Sequence, residues 1–91
     1  MKENMKLLGC KVVDVVTGLT GIVTSIAFDL YGCVQAIIDP GLDKDNKLPE
    51  RHWFDLKRLR VLDATPVMTV PTFEFVPGGQ EKPAQKSQPL P

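Results

Sequence analysis

The chain has 91 residues, 11 basic and 11 acidic side chains, and is 43% hydrophobic but only 7% aromatic. That describes one small globular domain with a marginal core, since a chain this short buries only roughly 60 to 65% of the surface it exposes unfolded. An elaborate catalytic cleft within one subunit is not expected. Balanced charge argues against a dedicated nucleic-acid binder, and no apolar run approaches the ~18 to 20 residues of a membrane span.

In chain order, residues 1–6 read as an N-terminal arm whose Met1-Lys2-Glu3-Asn4-Met5 leads into no apolar signal core, so a cytoplasmic location is expected. Gly9-Cys10-Lys11-Val12-Val13-Asp14-Val15-Val16 is rich in β-branched residues that favour an extended backbone, and Thr17-Gly18 supplies the residue types of a turn. Gly21-Ile22-Val23-Thr24-Ser25-Ile26-Ala27-Phe28 alternates bulky side chains with small or polar ones, the period of a half-buried strand. Asp29-Leu30-Tyr31-Gly32 carries turn formers at its ends and Cys33-Val34-Gln35-Ala36-Ile37-Ile38-Asp39 follows as a third apolar run, which predicts a hairpin. Asp43-Lys44-Asp45-Asn46-Lys47, between Pro40 and Pro49, predicts a second hairpin with a longer loop.

Arg51-His52-Trp53-Phe54 resumes the sheet, Asp55 caps a single helical turn through Leu56 to Leu59, and Arg60-Val61-Leu62 returns as a short strand. Leu56, Leu59 and Leu62 recur every third residue, so a longer helix is the competing reading. The expected fold is therefore all-β: a small five-stranded barrel over residues 7–63 with one short helical turn. Residues 64–76 are too apolar for a linker and are expected to be extended and docked on the barrel itself, a second copy or another protein. Pro71 confines any strand there to an edge, and an uncovered edge over residues 70–76 predicts a homo-oligomer. Residues 77–91 hold four of the eight prolines, two glycines and three glutamines, the composition of a flexible tail.

Gly9-x-x-Val12-x-Asp14-x-x-Thr17-Gly18-x-x-Gly21-Ile22-Val23 resembles the opening of KOW-type and Src-homology-3-like barrels, where a glycine lets the second strand start close to the first. The run from Thr17-Gly18-Leu19-Thr20-Gly21-Ile22 through Leu30-Tyr31-Gly32-Cys33-Val34-Gln35 to Asp55 and Leu59 resembles small uncharacterised proteins of phages, prophages and other mobile elements. That likeness spans residues 7–63 and implies an origin rather than an activity. Val34-Gln35-Ala36-Ile37 is similar, in its first two residues, to the Val-Gln-Ile-Tyr pore strand of type II dihydrofolate reductases, which form one pore from four subunits. An oligomeric pore enzyme is the alternative this second likeness implies.

The most chemically loaded stretch is Arg51 to Arg60, which mixes Arg51, Lys57, Arg58 and Arg60 with Trp53 and Phe54. Such mixtures suit protein hot spots and anionic ligands alike. Strand alternation puts Arg51 with Trp53 on one face and His52 with Phe54 on the other, so one aromatic belongs to the core. Tyr31, Arg51, Trp53, Lys57, Arg58, Arg60, Phe73 and Phe75 are the candidate binding residues, with a nucleotide or nucleic acid as the alternative ligand. Cys10 and Cys33 read as buried thiols, and a zinc site would need both to converge with His52 and Asp55 without a recognised ligand spacing. Asp39, Asp43, Asp45 and Glu50 fail the twelve-residue calcium pattern, and His52 has no adjacent nucleophile. No cofactor is expected. The expectation is a non-catalytic protein that binds a host or phage protein, either in the host cytoplasm or as an accessory part of a virion.

Overall fold

The computed structural model describes residues 2–73. Its strands are β1 (Lys11–Asp14), β2 (Thr20–Phe28), β3 (Val34–Asp39), β4 (Trp53–Asp55) and β5 (Leu59–Asp63), with a 3-10 turn over Leu56–Arg58. All neighbours are antiparallel in the order β4-β3-β2-β1-β5, so the last strand returns to the outer edge of the first. This is the small all-β fold expected. Residues Lys2–Met5 add one short α-helical turn, α1, inside the stretch read as an arm.

The competing helix does not form. Asp55 caps only the 3-10 turn, its carboxylate accepting from the Lys57 backbone N–H at 2.8 Å, and Leu59 is already extended and paired with Asp14. Leu56 and Leu59 then reach the core while Leu62 stays exposed, which breaks the threefold leucine pattern at the strand. The first strand is shorter than the β-branched run suggests, because the chain leaves β1 at Asp14 for reasons that also shape the candidate site.

Val12, Val23, Ala36 and Ile38 form the fully buried cluster, one or two from each of the three central strands. Leu7, Leu8, Leu19, Ile26, Phe54, Leu56 and Leu59 seal it from the periphery. Such a core is small enough that each buried methyl group weighs heavily in the stability. Gly21 is buried on β2, and a Cβ there would stand 2.7 Å from the Asp39 carbonyl carbon and from Ile38 Cγ2. The close neighbour that demands glycine is therefore β3, not the first strand as its sequence context suggests.

Beyond β5 the chain turns back along its own N-terminal segment. Val67 N–H donates to the Gly9 carbonyl at 3.0 Å, and Gly9 N–H donates to the Val23 carbonyl at 2.8 Å. Gly9 has φ 84°, and a Cβ there would meet Pro66 Cβ at 3.0 Å, so glycine is what lets the returning segment lie so close. Val70, Pro71 and Phe73 share a groove with Met5 and Lys6. Residues 64–73 thus dock on their own domain, but they form no strand. The edge strand invoked over residues 70–76 is absent as far as Phe73, and with it goes the edge-pairing argument for self-association over those residues; positions 74–76 and the tail lie outside the described residues.

Candidate functional site

The site begins at Asp14, the last residue of β1. Its side chain has 0% exposure, an expensive place for a carboxylate unless every oxygen is satisfied. Arg58 Nε donates to Oδ1 at 2.9 Å and Nη2 to Oδ2 at 2.7 Å, the planar two-bond fit that guanidinium makes with carboxylate. Thr17 adds its hydroxyl and its backbone N–H to Oδ2, and Val16 N–H approaches Oδ1 at 3.4 Å. The Arg58 guanidinium holds this carboxyl well below the ordinary aspartate value; burial opposes the shift, and the bonds from Thr17 and Val16 add to it.

Asp14 also closes the turn through its backbone. Its N–H donates to Leu19 O at 2.8 Å and its carbonyl accepts from Gly18 N–H at 2.7 Å. One residue therefore folds residues 14–19 into a compact loop and ties that loop to the 3-10 turn, with Val15 N–H donating to Arg58 O at 2.8 Å as a further stitch. Val15 and Val16 are consequently turned out to solvent rather than paired in the sheet.

The wall so built faces β4. Strand alternation sends Phe54 inward onto the core and leaves Trp53, opposite Ile37, 47% exposed. Between them lies a depression of about 650 Å³, largely open to solvent, lined by the turn residues Thr17, Gly18 and Leu19, by His52, Trp53 and Phe54, and by Arg58. Arg58 lies over the Phe54 ring, its guanidinium carbon 5.5 Å from the centroid. The result is an apolar indole face beside a cation whose charge is already matched.

The other candidate residues scatter. Arg51 reaches Asp39 at 3.8 Å, at the end of β3 nearest Trp53. Lys57 and Arg60 are exposed, on the 3-10 turn and on β5. Tyr31 lies in the β2–β3 turn, at the opposite end of β3 from Trp53, so the two aromatics do not form one patch. It has its own neighbours there: Leu30 and Tyr31 are 90% and 87% exposed, on a turn whose Asp29 carboxylate accepts from Tyr31 N–H and Cys33 N–H, both at 2.9 Å. Phe73 is exposed at the end of the docked segment, and Phe75 lies outside the described residues.

The two thiols differ, against the expectation that both are buried. Cys10 is buried and donates to the Lys6 and Ala64 carbonyls, whereas Cys33 is exposed because the Asp29 turn ends before β3 enters the sheet. Among the described residues no three His, Cys, Asp or Glu side chains stand close enough to hold a metal ion, and no helix is long and apolar enough to cross a membrane. Gln35 is half-buried opposite Ala27 and Asp55, and Ala36 is a core residue.

Asp14, Thr17, Gly18, Leu19, His52 and Phe54 are the site residues that the candidate set missed, and of that set only Trp53 and Arg58 line the depression. The available signal was the spacing Asp14-x-x-Thr17-Gly18, an aspartate placed to collect the N–H groups of a following turn. Compared with known proteins, the chain matches no family model, no curated protein and no solved structure.

Proposed function

We propose that this chain is a non-catalytic binding protein that works through protein–protein contacts at the Trp53 depression, with a phage or mobile-element origin as its sequence resemblance implies. The observation that carries the reading is a half-exposed tryptophan set in an open depression whose lining guanidinium, Arg58, is already paired with a buried carboxylate. Arg58 is held by Asp14 through two hydrogen bonds, so a phosphate-bearing ligand in the depression would have to compete with that carboxylate for it. An indole face with a polar margin is, in contrast, the composition of a protein hot spot. The Leu30–Tyr31 tip offers a second, separate contact, held in shape before binding by the two bonds to Asp29.

Two roles fit such a surface: an accessory component of a phage particle, or a protein that binds and redirects a host enzyme. The test is affinity capture by the full-length chain from infected-host lysate, comparing wild type with Trp53→Ala and with Leu30→Ser/Tyr31→Ser. A defined protein retained by the wild type and released by Trp53→Ala is the expected result. Retention by Trp53→Ala and loss only from the hairpin variant would move the contact surface to the β2–β3 tip.

A further inference from the structure

We propose that the Leu30–Tyr31 tip of one copy of this chain seats in the Trp53 depression of the next, a head-to-tail contact between copies. This rests on the reading of the depression as a protein contact and names what enters it.

The first argument is the tip itself. Leu30 and Tyr31, at 90% and 87%, are the two most exposed large apolar side chains among the described residues. They form the apex of a turn closed by Gly32 N–H on the Asp29 carbonyl at 3.1 Å, and the Asp29 carboxylate fixes the backbone at Tyr31 and Cys33. An apolar pair held rigidly outward adds nothing to the domain's own core. Burying it against a second surface costs little further ordering.

The second argument is complementarity. The depression, about 650 Å³ in volume, offers an indole face for the Tyr31 ring and Leu19 for Leu30. Charge has the same sense. Asp29 is the sole charged residue between Phe28 and Val34, whereas residues 50–60 around the depression hold four cations, Arg51, Lys57, Arg58 and Arg60, against Glu50 and Asp55, with Asp14 matching Arg58. An acidic tip therefore meets a net basic margin.

The third argument is geometric, and it selects the occupant. The tip and the Thr17–Leu19 wall lie at opposite ends of β2, whose nine residues hold them roughly 25 Å apart. A chain cannot fill its own depression with its own tip. Each copy presents one tip and one depression on different surfaces, so the contact is heterologous and association continues past the dimer. A single tip buries roughly a few hundred Å² of each partner, below the ~800 Å² of a standard interface. The contact is accordingly weak, with a Kd of about 0.1 to 1 mM, filled where copies are concentrated and open to a partner that binds more tightly.

Trp53 is the sole tryptophan, so a Trp53→Ala chain offers an intact tip and is silent in tryptophan fluorescence. The experiment titrates full-length Trp53→Ala into full-length Leu30→Ser/Tyr31→Ser, which keeps the depression and its reporter but has no tip. The expected result is acrylamide quenching of Trp53 reduced about twofold at roughly 1 mM donor. Sedimentation of that mixture stops at the dimer, while wild type at the same concentration grows beyond it. A donor that carries all three substitutions gives no protection. If Trp53→Ala does not fold, Trp53→Phe serves as an equally silent donor. Unchanged quenching across the titration overturns the proposal. Self-association of either variant alone as tightly as wild type also overturns it, since the contact is then between like surfaces. Release of a lysate protein by Trp53→Ala without protection in the titration overturns this proposal and keeps the depression as a foreign-partner site. Protection in the titration with partner retention by Trp53→Ala upholds the proposal and moves the foreign contact elsewhere.

Discussion

Arg58 and Asp14, 44 residues apart in the chain, meet through two near-parallel hydrogen bonds in which the carboxylate is wholly out of solvent and the guanidinium is 38% exposed. The pair is asymmetric: the cation keeps part of its hydration, while the anion depends entirely on protein donors. Lysine could supply charge at this position but not the fork. The bond also sets the wall of the depression, so the same interaction governs stability and the shape of the site.

Acid should loosen the protein through this pair. Asp14 is held below its ordinary 3.8 in the folded chain, so between the two values the unfolded state binds more protons than the folded state and stability rises with pH there. The contribution is complete above the ordinary aspartate range and is lost as pH falls below it, toward the depressed folded value. Thermal melts from pH 7 downward should show wild type losing stability below about pH 4. Asp14→Asn should be less stable at neutral pH and flatter through the acid limb. Parallel acid limbs in the two proteins would assign the loss to other carboxylates.

Gly21→Ala should destabilise the fold by roughly 1 to 3 kcal/mol, since the added methyl group meets β3 backbone rather than a side chain that can swing away. Urea unfolding should show a lower midpoint with an unchanged slope. Gly18→Ala makes a useful contrast, because a Cβ there meets nothing within 4 Å and its cost comes from the positive φ of 83° alone.

Core and edge should separate cleanly. Ile38→Ala, at a fully buried position on the third strand, should cost about 2 to 5 kcal/mol. Val61→Ala, on an edge strand and about half exposed, should stay nearer 0.5 kcal/mol. Chemical denaturation of the two variants beside wild type measures both, and equal losses would place the core elsewhere.

One thiol per chain should react with a colorimetric thiol reagent under native conditions. Cys33 is exposed, while Cys10 is covered and bonded to two carbonyls. Cys33→Ser should abolish the native reaction and leave one thiol that appears only on unfolding. Rapid reaction of both thiols would mean that the segment over Cys10 opens readily.

The strands were legible because β-branched runs and turn formers alternate at lengths that suit them, as in Gly21 to Phe28 followed by Asp29-Leu30-Tyr31-Gly32. The split between Trp53 and Phe54 follows from strand alternation, which needs only local information. Asp14 was not legible as the organiser of the site, because its partner lies far along the chain and a lone aspartate at a strand end reads as solvated. Cys33 misled for a related reason: apolar neighbours in sequence suggested a core position, but the Asp29 turn delays entry into the sheet by one residue. Residues 64–73 bend back over Gly9 without forming a strand, and Pro66 and Pro71 each remove a backbone donor that a strand there would need.

The Gly9 to Val67 bond carries a topological implication. Entry to and exit from the sheet lie side by side, so the described residues approach a closed ring that can be cut at more than one place. The exposed loop around Asp43 to Lys47, closed by its own backbone bonds and by the Asp43 carboxylate rather than by the sheet, is one such place. Joining the chain across Gly9 and Val67 and opening it at Asn46 would keep all five strands and their order in the sheet while reversing which half of the sheet leaves the ribosome first.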